Sequence, residues 1–583
     1  MTRHTRNLAA FFLAVLALGA AWAGVRRASN AAATRVGAPS DPGVRPTGVP
    51  RGGELVVSIR TEPVTFNRFV KGDSSTDLVS NLLNAKLVRI NRATQEVEPW
   101  LAERWTRSDD GLRYTLKLRE GVVFSDGHPF TADDVLFSFA AAADEAGGSV
   151  LAGALHAGGG TPEFTAPDPL TVVMTLSEPF APGVRILDNV PILPRHRLQP
   201  ALASATLASV WGLDTPPGDL AGLGPFVLAE YLPGQRLIFT RNPSYFVRDA
   251  DGAALPYLDR LVVRVIPDQD AELLALEAGD IDMTTSEVRP EDYAPLKRAA
   301  DAGKITLLDL GVGYDADAMW FNLRPGAFDG DPRASWIQRD ELRQAITMAI
   351  DRKVFADTVY LGAGVPVYGP ITPANRLWYA AEAPQPRYDP AAAKALIESI
   401  AGGQPVRFSL LVPKGRTAIE RAGAVIRDEL KKIGVTVDVV ALDGAALVQR
   451  VAGPSPRFDA AYFSLYASDT DPAINPDFWL SSGTAHVWNM MQTTPATSWE
   501  RQIDELFAKQ AASSDEGERH RLFADIQKIF AAHQPVLYFV APRVFVASSS
   551  RVAHVEPGLT RPQLLWAPDR VAVSPARAAR PER

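Results

Sequence analysis

The chain has 583 residues, more than one ordinary hydrophobic core organises, so two or three domains are expected. Hydrophobic residues make up 46% and charged residues 22%, a balance that excludes a disordered chain and a polytopic membrane protein. The net charge of −7 argues against nucleic acid as a partner, and the absence of cysteine excludes disulfides, Cys metal sites, Cys nucleophiles and a lipid carried on an N-terminal Cys.

The N-terminus has the pattern of an export signal. Arg3 and Arg6 form a basic start, Leu8 to Leu18 (LAAFFLAVLAL) is apolar, and Ala21-Trp22-Ala23 puts small residues at the −3 and −1 positions of a cleavage site. A signal peptide at 1–23, cut after Ala23, is expected; an uncleaved anchor is the alternative, because the apolar stretch reaches Val25. Residues 24–52, rich in Ala, Pro, Gly and Arg, read as a flexible linker. The first 52 residues hold seven Arg and one Asp, so the body that follows carries −13 and is acidic.

The folded body is expected from about Glu54, where Leu55-Val56-Val57-Ser58-Ile59 reads as a buried strand. Thr131-Ala132-Asp133-Asp134 opens a helix with a capping-box pattern, and Val135, Leu136 and Phe139 give its apolar stripe. Leu342, Ala345, Ile346, Ala349 and Ile350 share one helical face. Asp389 and Pro390 mark another helix start. From Ile419, the face Ala422, Ile426, Leu430 and Ile433 ends at a left-handed Gly434, and Val435, Val437 and Val439 alternate as a strand. Two further helices, around Ile503–Phe507 and Leu522–Phe530, precede a strand from Val536 to Val540. Strands are also predicted at Tyr114–Leu118, Val172–Leu176, Leu237–Thr240 and Leu261–Ile266, and the Ala/Gly-rich 141–160 as a helix end and loop. The pattern is α/β without internal repeats.

Enzymatic motifs are absent. The eight histidines, at 4, 128, 156, 196, 486, 520, 533 and 554, show no helical metal pair in the folded body, and no metal site or cofactor is expected. There is no Gly-x-Ser-x-Gly elbow and no P-loop; Gly362-Ala363-Gly364 lacks a third glycine and reads as a turn. Asp469-Thr470-Asp471-Pro472 offers paired carboxylates, read either as acid–base groups or as turn and cap residues before proline.

Several blocks, in order, carry a resemblance. Leu101-Ala-Glu-Arg-Trp-Thr-Arg-Ser-Asp-Asp-Gly-Leu-Arg-Tyr-Thr-Leu-Lys-Leu-Arg119 and Gly121-Val-Val-Phe-Ser-Asp-Gly-His-Pro-Phe-Thr-Ala-Asp-Asp-Val135 resemble the central signature of the family 5 extracellular solute-binding proteins, the oligopeptide-, dipeptide- and nickel-binding proteins of ABC importers. Gly222-Leu-Gly-Pro-Phe, Arg241-Asn-Pro-Ser-Tyr-Phe246, Ala278-Gly-Asp-Ile-Asp282, Phe321-Asn322, Leu342 to Arg352 and Tyr388 to Leu396 are similar to later family elements.

The resemblance implies a two-lobed periplasmic binding protein fold, class II-like with an extra subdomain, whose ligand lies in a cleft between closing lobes. Lobe I is expected at 53–90, 223–310 and 535–575, its subdomain at 91–222, and lobe II at 311–534. A peptide-like solute, delivered to ABC permease subunits by a monomeric, exported, non-enzymatic protein, is the implied function; it works in the periplasm, free or tethered by an uncleaved leader. Main-chain hydrogen bonds would bind a peptide whatever its side chains, and a buried ammonium would need a carboxylate. The resemblance puts Asp469 there, one residue nearer the proline than in the peptide-binding members, with Asp471 as competitor. Tyr466 and Tyr538 are expected to line the cleft, and Trp320 and Trp488 either to stack on ligand groups or to sit in the core. The alternatives are an oligosaccharide, opine or metal chelate on the same fold, or a ligand-sensing or chaperone protein without a transport role.

Overall fold

A computed structural model describes residues 48–465 and 470–574. The leader, residues 24–47 of the linker, Tyr466 and Asp469 lie outside the described residues. The chain divides into two compact units: Leu310–Val544 with Arg289–Glu291 forms the second, and the rest of the described chain the first.

In the first unit, β1 (Glu54–Ile59) is the central strand, with Leu55, Val57, Ser58 and Ile59 buried. After α1 (Ser74–Leu83) come the short pair β2 (Val88–Ile90) and β3 (Val97–Pro99), then β4 (Ala102–Arg107) and β5 (Arg113–Leu118). Next are α2 (Ala132–Ala143), β6 (Glu163–Asp168), β7 (Thr171–Thr175) and α3 (Arg195–Ala203). Strands β4, β5, β7 and β6, in that order, form a separate antiparallel sheet. Its buried face comes from alternation: Tyr114 pairs with Met174 and Leu116 with Val172, and all four are buried. Helix α2 lies against this sheet, the rings of Phe139 and Phe164 being 4.0 Å apart. Its start follows the capping-box expectation, the Asp134 carboxylate accepting the Thr131 N–H at 2.9 Å.

The main sheet of this unit adds β8 (Phe226–Leu232), β9 (Arg236–Arg241), β10 (Arg260–Val265) and, after α4 (Gln269–Ala278), β11 (Met283–Thr284). Strand β1 runs parallel to β10 on one side and β11 on the other, which covers both its edges. Gly222 and Gly224 precede β8 where the chain crosses the end of α1. A Cβ at Gly224 would overlap the backbone of Leu82–Asn84, and one at Gly222 the Leu83 carbonyl, so these positions require glycine. Helix α5 (Tyr293–Asp301) then leads into β12 (Ile305–Val312), which passes into the second unit.

The second unit contains β13 (Ala316–Phe321), α6 (Asp340–Ala349), α7 (Arg352–Val359), β14 (Gly364–Pro366) and α8 (Pro390–Ala401). They are followed by β15 (Val406–Pro413), α9 (Thr417–Lys432), β16 (Val435–Leu442), α10 (Gly444–Ala452) and β17 (Ala460–Leu465). The unit closes with α11 (Ser498–Ala512), α12 (Glu516–His533) and β18 (Val536–Tyr538). Its sheet has the order β16-β15-β17-β13-β18. Strands β15, β16 and β17 are parallel, and β13 is antiparallel to both β17 and β18. Helix α9 buries Ala422, Ile426 and Leu430, and Gly434 turns the chain at φ +85° into β16. Asp389 caps α8 by accepting the Ala392 N–H at 2.9 Å.

The structure differs from the sequence reading near the end of the second unit. The stretch from Val536 is divided: β18 pairs with β13, Trp320 opposite Val536 and Ala318 opposite Tyr538. Strand β19 (Val540–Ser549) then starts in the second unit and passes into the first at 544/545. Residues 535–544 therefore group with the second unit, not with the first lobe as sequence assigned them. Alternation marks a strand but not the sheet that accepts it.

Candidate functional site

In an open α/β sheet, ligands gather outside the carboxyl ends of strands where successive connections leave in opposite directions. The second unit has such a point. Strand β15 continues through α9 to β16 on one side, whereas β17 continues through α11 and α12 to β18 on the other. Strand β17 ends at Leu465 and leads directly into 466–469, the segment that carries Tyr466 and Asp469.

Described structure fixes the chain on both sides of that segment. Upstream, Leu465 and Ser464 pair in register with Ala316 and Asp317 of β13. The Ser464 hydroxyl donates to Asp317, which also accepts from the Tyr360 hydroxyl at 2.8 Å. Burial, and then Asp317, push the Tyr360 hydroxyl well above the ordinary tyrosine range. Downstream, the Thr470 carbonyl accepts from the Asn375 side chain at 3.0 Å.

Asp471 follows at once and is 7% exposed. Its carboxylate receives a two-pronged hydrogen bond from Arg519, at 3.0 and 2.6 Å, and accepts the Ala473 N–H at 3.0 Å. Arg519 also donates to the Gln510 carbonyl at 2.9 Å and lies 4.9 Å from the Trp378 ring centre. The two aspartates weighed against each other in the sequence are thus distinguished in part: the carboxylate of Asp471 is held by a buried guanidinium. Neither Arg519 nor Asn375 was marked by any local motif, because each acts on a partner more than 40 positions away.

Tyr538 ends β18, and its side chain is buried. Burial, with nearby Asp315 adding to it, raises the hydroxyl far above the usual tyrosine range. Trp320 is fully buried, edge-on to Phe463 with ring centres 4.6 Å apart. Trp488 is also buried and donates its indole N–H to Glu500 at 3.2 Å. Both tryptophans are buried in the second unit, in the core position that was one of the two places the sequence allowed them.

Glu500, 2% exposed, organises this part of the core. One carboxylate oxygen faces the His486 ring at 3.2 Å and accepts from Gln492 at 2.8 Å; the other accepts the Thr497 N–H and hydroxyl at 3.0 and 2.9 Å. Burial alone would raise the Glu500 carboxyl, but the hydrogen bonds from His486, Gln492 and Thr497 outweigh it and hold the group at about 2. Among the described residues no cluster of three or more His, Asp or Glu is arranged to hold a metal, and no helix is long and apolar enough to cross a membrane.

Known proteins agree with this architecture. The profile of the bacterial extracellular solute-binding proteins, family 5, matches residues 96–486. A probable ABC transporter-binding protein of Deinococcus radiodurans is 25% identical over 519 residues, covering 84% of this chain and 86% of that protein. The oligopeptide-binding protein AppA of Bacillus subtilis is 26% identical over 529 residues, covering 85% and 88%. The structure of that AppA in complex with a nonapeptide superposes with a TM-score of 0.69 at 25% identity, over 91% of this chain and 100% of the other. The fold is the two-lobed one of the periplasmic binding proteins, and the chain belongs to family 5 of the bacterial extracellular solute-binding proteins.

Proposed function

We propose that the protein captures a peptide through its free amino terminus and passes it to the permease subunits of an ABC importer. Asp469 supplies the carboxylate for the ammonium, and Tyr466 and Tyr538 line the site. Supporting this most directly is the engagement of Asp471 by Arg519, which makes Asp469 the carboxylate of the segment with that role open to it. The position of the segment beyond the carboxyl end of β17, at a topological switch point, supports it further. So do the oligopeptide-binding function in the name of the Bacillus relative and the nonapeptide in its structure. The leader at 1–23 exports the chain, which then works in the periplasm as a monomer. Residues 91–222 are read as a subdomain of the first lobe, a reading supported by their own four-stranded sheet.

Titration calorimetry tests the assignment with di- to pentapeptides, the same peptides N-acetylated, and oligosaccharides. Free-amino peptides are expected to bind. Asp469→Ala is expected to weaken them at least tenfold while changing N-acetylated peptides much less, because only the former present a charge to pair. Equal losses for both would remove Asp469 from this role, and heat from oligosaccharides alone would overturn the peptide reading.

A further inference from the structure

The two most buried glutamates among the described residues, Glu272 at 0% exposure and Glu500 at 2%, meet opposite surroundings. Donors reach both oxygens of Glu500 in the second unit: the Trp488 indole and the Gln492 amide on one, the Thr497 N–H and hydroxyl on the other. Glu272, on α4 of the first unit, has fewer. The Ser58 hydroxyl of β1 donates to one of its oxygens at 2.6 Å, and the Ser286 hydroxyl, two residues past β11, donates to the same oxygen at 3.1 Å. The other oxygen is buried without a hydrogen-bond partner, and neither serine brings a charge.

The charged groups whose fields reach Glu272 are Arg60, just past β1, and Asp292, just before α5, and they act against each other. Arg60 is exposed and donates to the Gln269 side chain at 2.9 Å; Asp292 accepts from the same side chain at 3.0 Å. Burial therefore outweighs the two hydroxyls and raises the Glu272 carboxyl above its ordinary range, the reverse of Glu500. An oxygen left without a donor costs far less on a neutral carboxyl than on a carboxylate.

This carboxyl sits where three parts of the first unit are tied together. Beside it the Thr285 hydroxyl donates to the Ser58 carbonyl at 2.7 Å, and the Gln269 amide donates to the Glu287 carbonyl at 2.8 Å. Residues 285–287 are thereby fastened to β1 and α4, just before Arg289–Glu291, which group with the second unit. We propose that Glu272 is a proton-operated fastener. With its proton it ties β1, α4 and the chain leaving β11 into one contact; when the proton passes to solvent, the buried charge loosens residues 285–287, where the chain leaves the first unit. The fastener acts whatever solute the protein carries.

Because the folded value of Glu272 lies above its ordinary 4.5, protonation favours the folded state; the stabilisation is full below about pH 4.5 and is lost as pH rises through the folded value. Glu272→Gln keeps the shape and cannot ionise. Its urea midpoint is expected to rise relative to that of the wild type between about pH 5 and about pH 8. Hydrogen–deuterium exchange locates the effect. Over residues 283–288 the two proteins are expected to exchange alike at about pH 5, and the wild type at least threefold faster at about pH 8. A midpoint difference that is the same at both pH values, or equal exchange of this segment at the higher one, would overturn the proposal. If Glu272→Gln does not fold, Glu272→Met, which cannot ionise either, takes its place in both measurements.

Discussion

Asp469 and Asp471 are two positions apart in the sequence, and the surroundings of Asp471 show why its charge is bound to structure. With its carboxylate and the Arg519 guanidinium both buried and matched in geometry, removing one partner leaves the other uncompensated. Arg519→Met is expected to destabilise the protein by about 3–5 kcal/mol, read from urea unfolding, and Asp471→Ala in the same background to recover part of that loss. A single Arg519 variant as stable as wild type would contradict the buried pair. Glu500 makes a pH-dependent contribution. Its folded value of about 2 lies below its ordinary 4.5, so its stabilisation is full above about pH 4.5 and is lost as pH falls toward 2. The difference corresponds to about 3 kcal/mol. Glu500→Gln should therefore flatten the acid limb of the stability–pH curve between pH 4.5 and 2; an unchanged limb would show that the hydrogen bonds around Glu500 do not hold its charge.

At the scale of elements, the turn before β8 depends on the absence of side chains. The Gly224 N–H donates to the Leu83 carbonyl at 2.8 Å, and its own carbonyl accepts from Asn242 at 2.8 Å, so the backbone is pressed against the end of α1. Gly224→Ala is expected to cost about 1–3 kcal/mol by overpacking, seen as a lower unfolding midpoint. Because the strain lies in the first unit's core, the affinity of the folded fraction for a ligand should not move. The elements that the sequence made legible are those written locally. Thr131, Asp389 and Gly434 set helix ends through bonds spanning a few residues, and alternation in 114–118 and 172–176 set strands that pair face to face. What was not legible depends on distant partners. Nothing near Asp471 announces Arg519, nothing near Trp488 announces that Glu500 will take its indole N–H, and nothing in Val536–Val540 tells which sheet receives its first half.

At the scale of the whole molecule, the two units are unequal in how the chain builds them. The first is assembled from pieces separated by the second, whereas the second is, among the described residues, nearly one continuous run, Leu310–Val544, joined by Arg289–Glu291 from outside it. All five strands of its sheet lie within that run, and so do the helices that cover it. Its buried ion pair, Asp471 with Arg519, and the Glu500 cluster are also internal to it. A piece with its own sheet, its own core and an internal buried ion pair meets the conditions for folding alone. A fragment of residues 310–544 is therefore expected to be soluble and to unfold in a single cooperative transition. The Glu500→Gln effect on its acid limb should match the effect in the full chain. The reciprocal chain, with 310–544 replaced by a short linker, must bring β12 and β19 together without the strands that continue them, and it should fold less stably. A fragment with helical circular dichroism but no cooperative transition would show that the second unit relies on the first for its packing, and would count against treating its ion pairs as local to it.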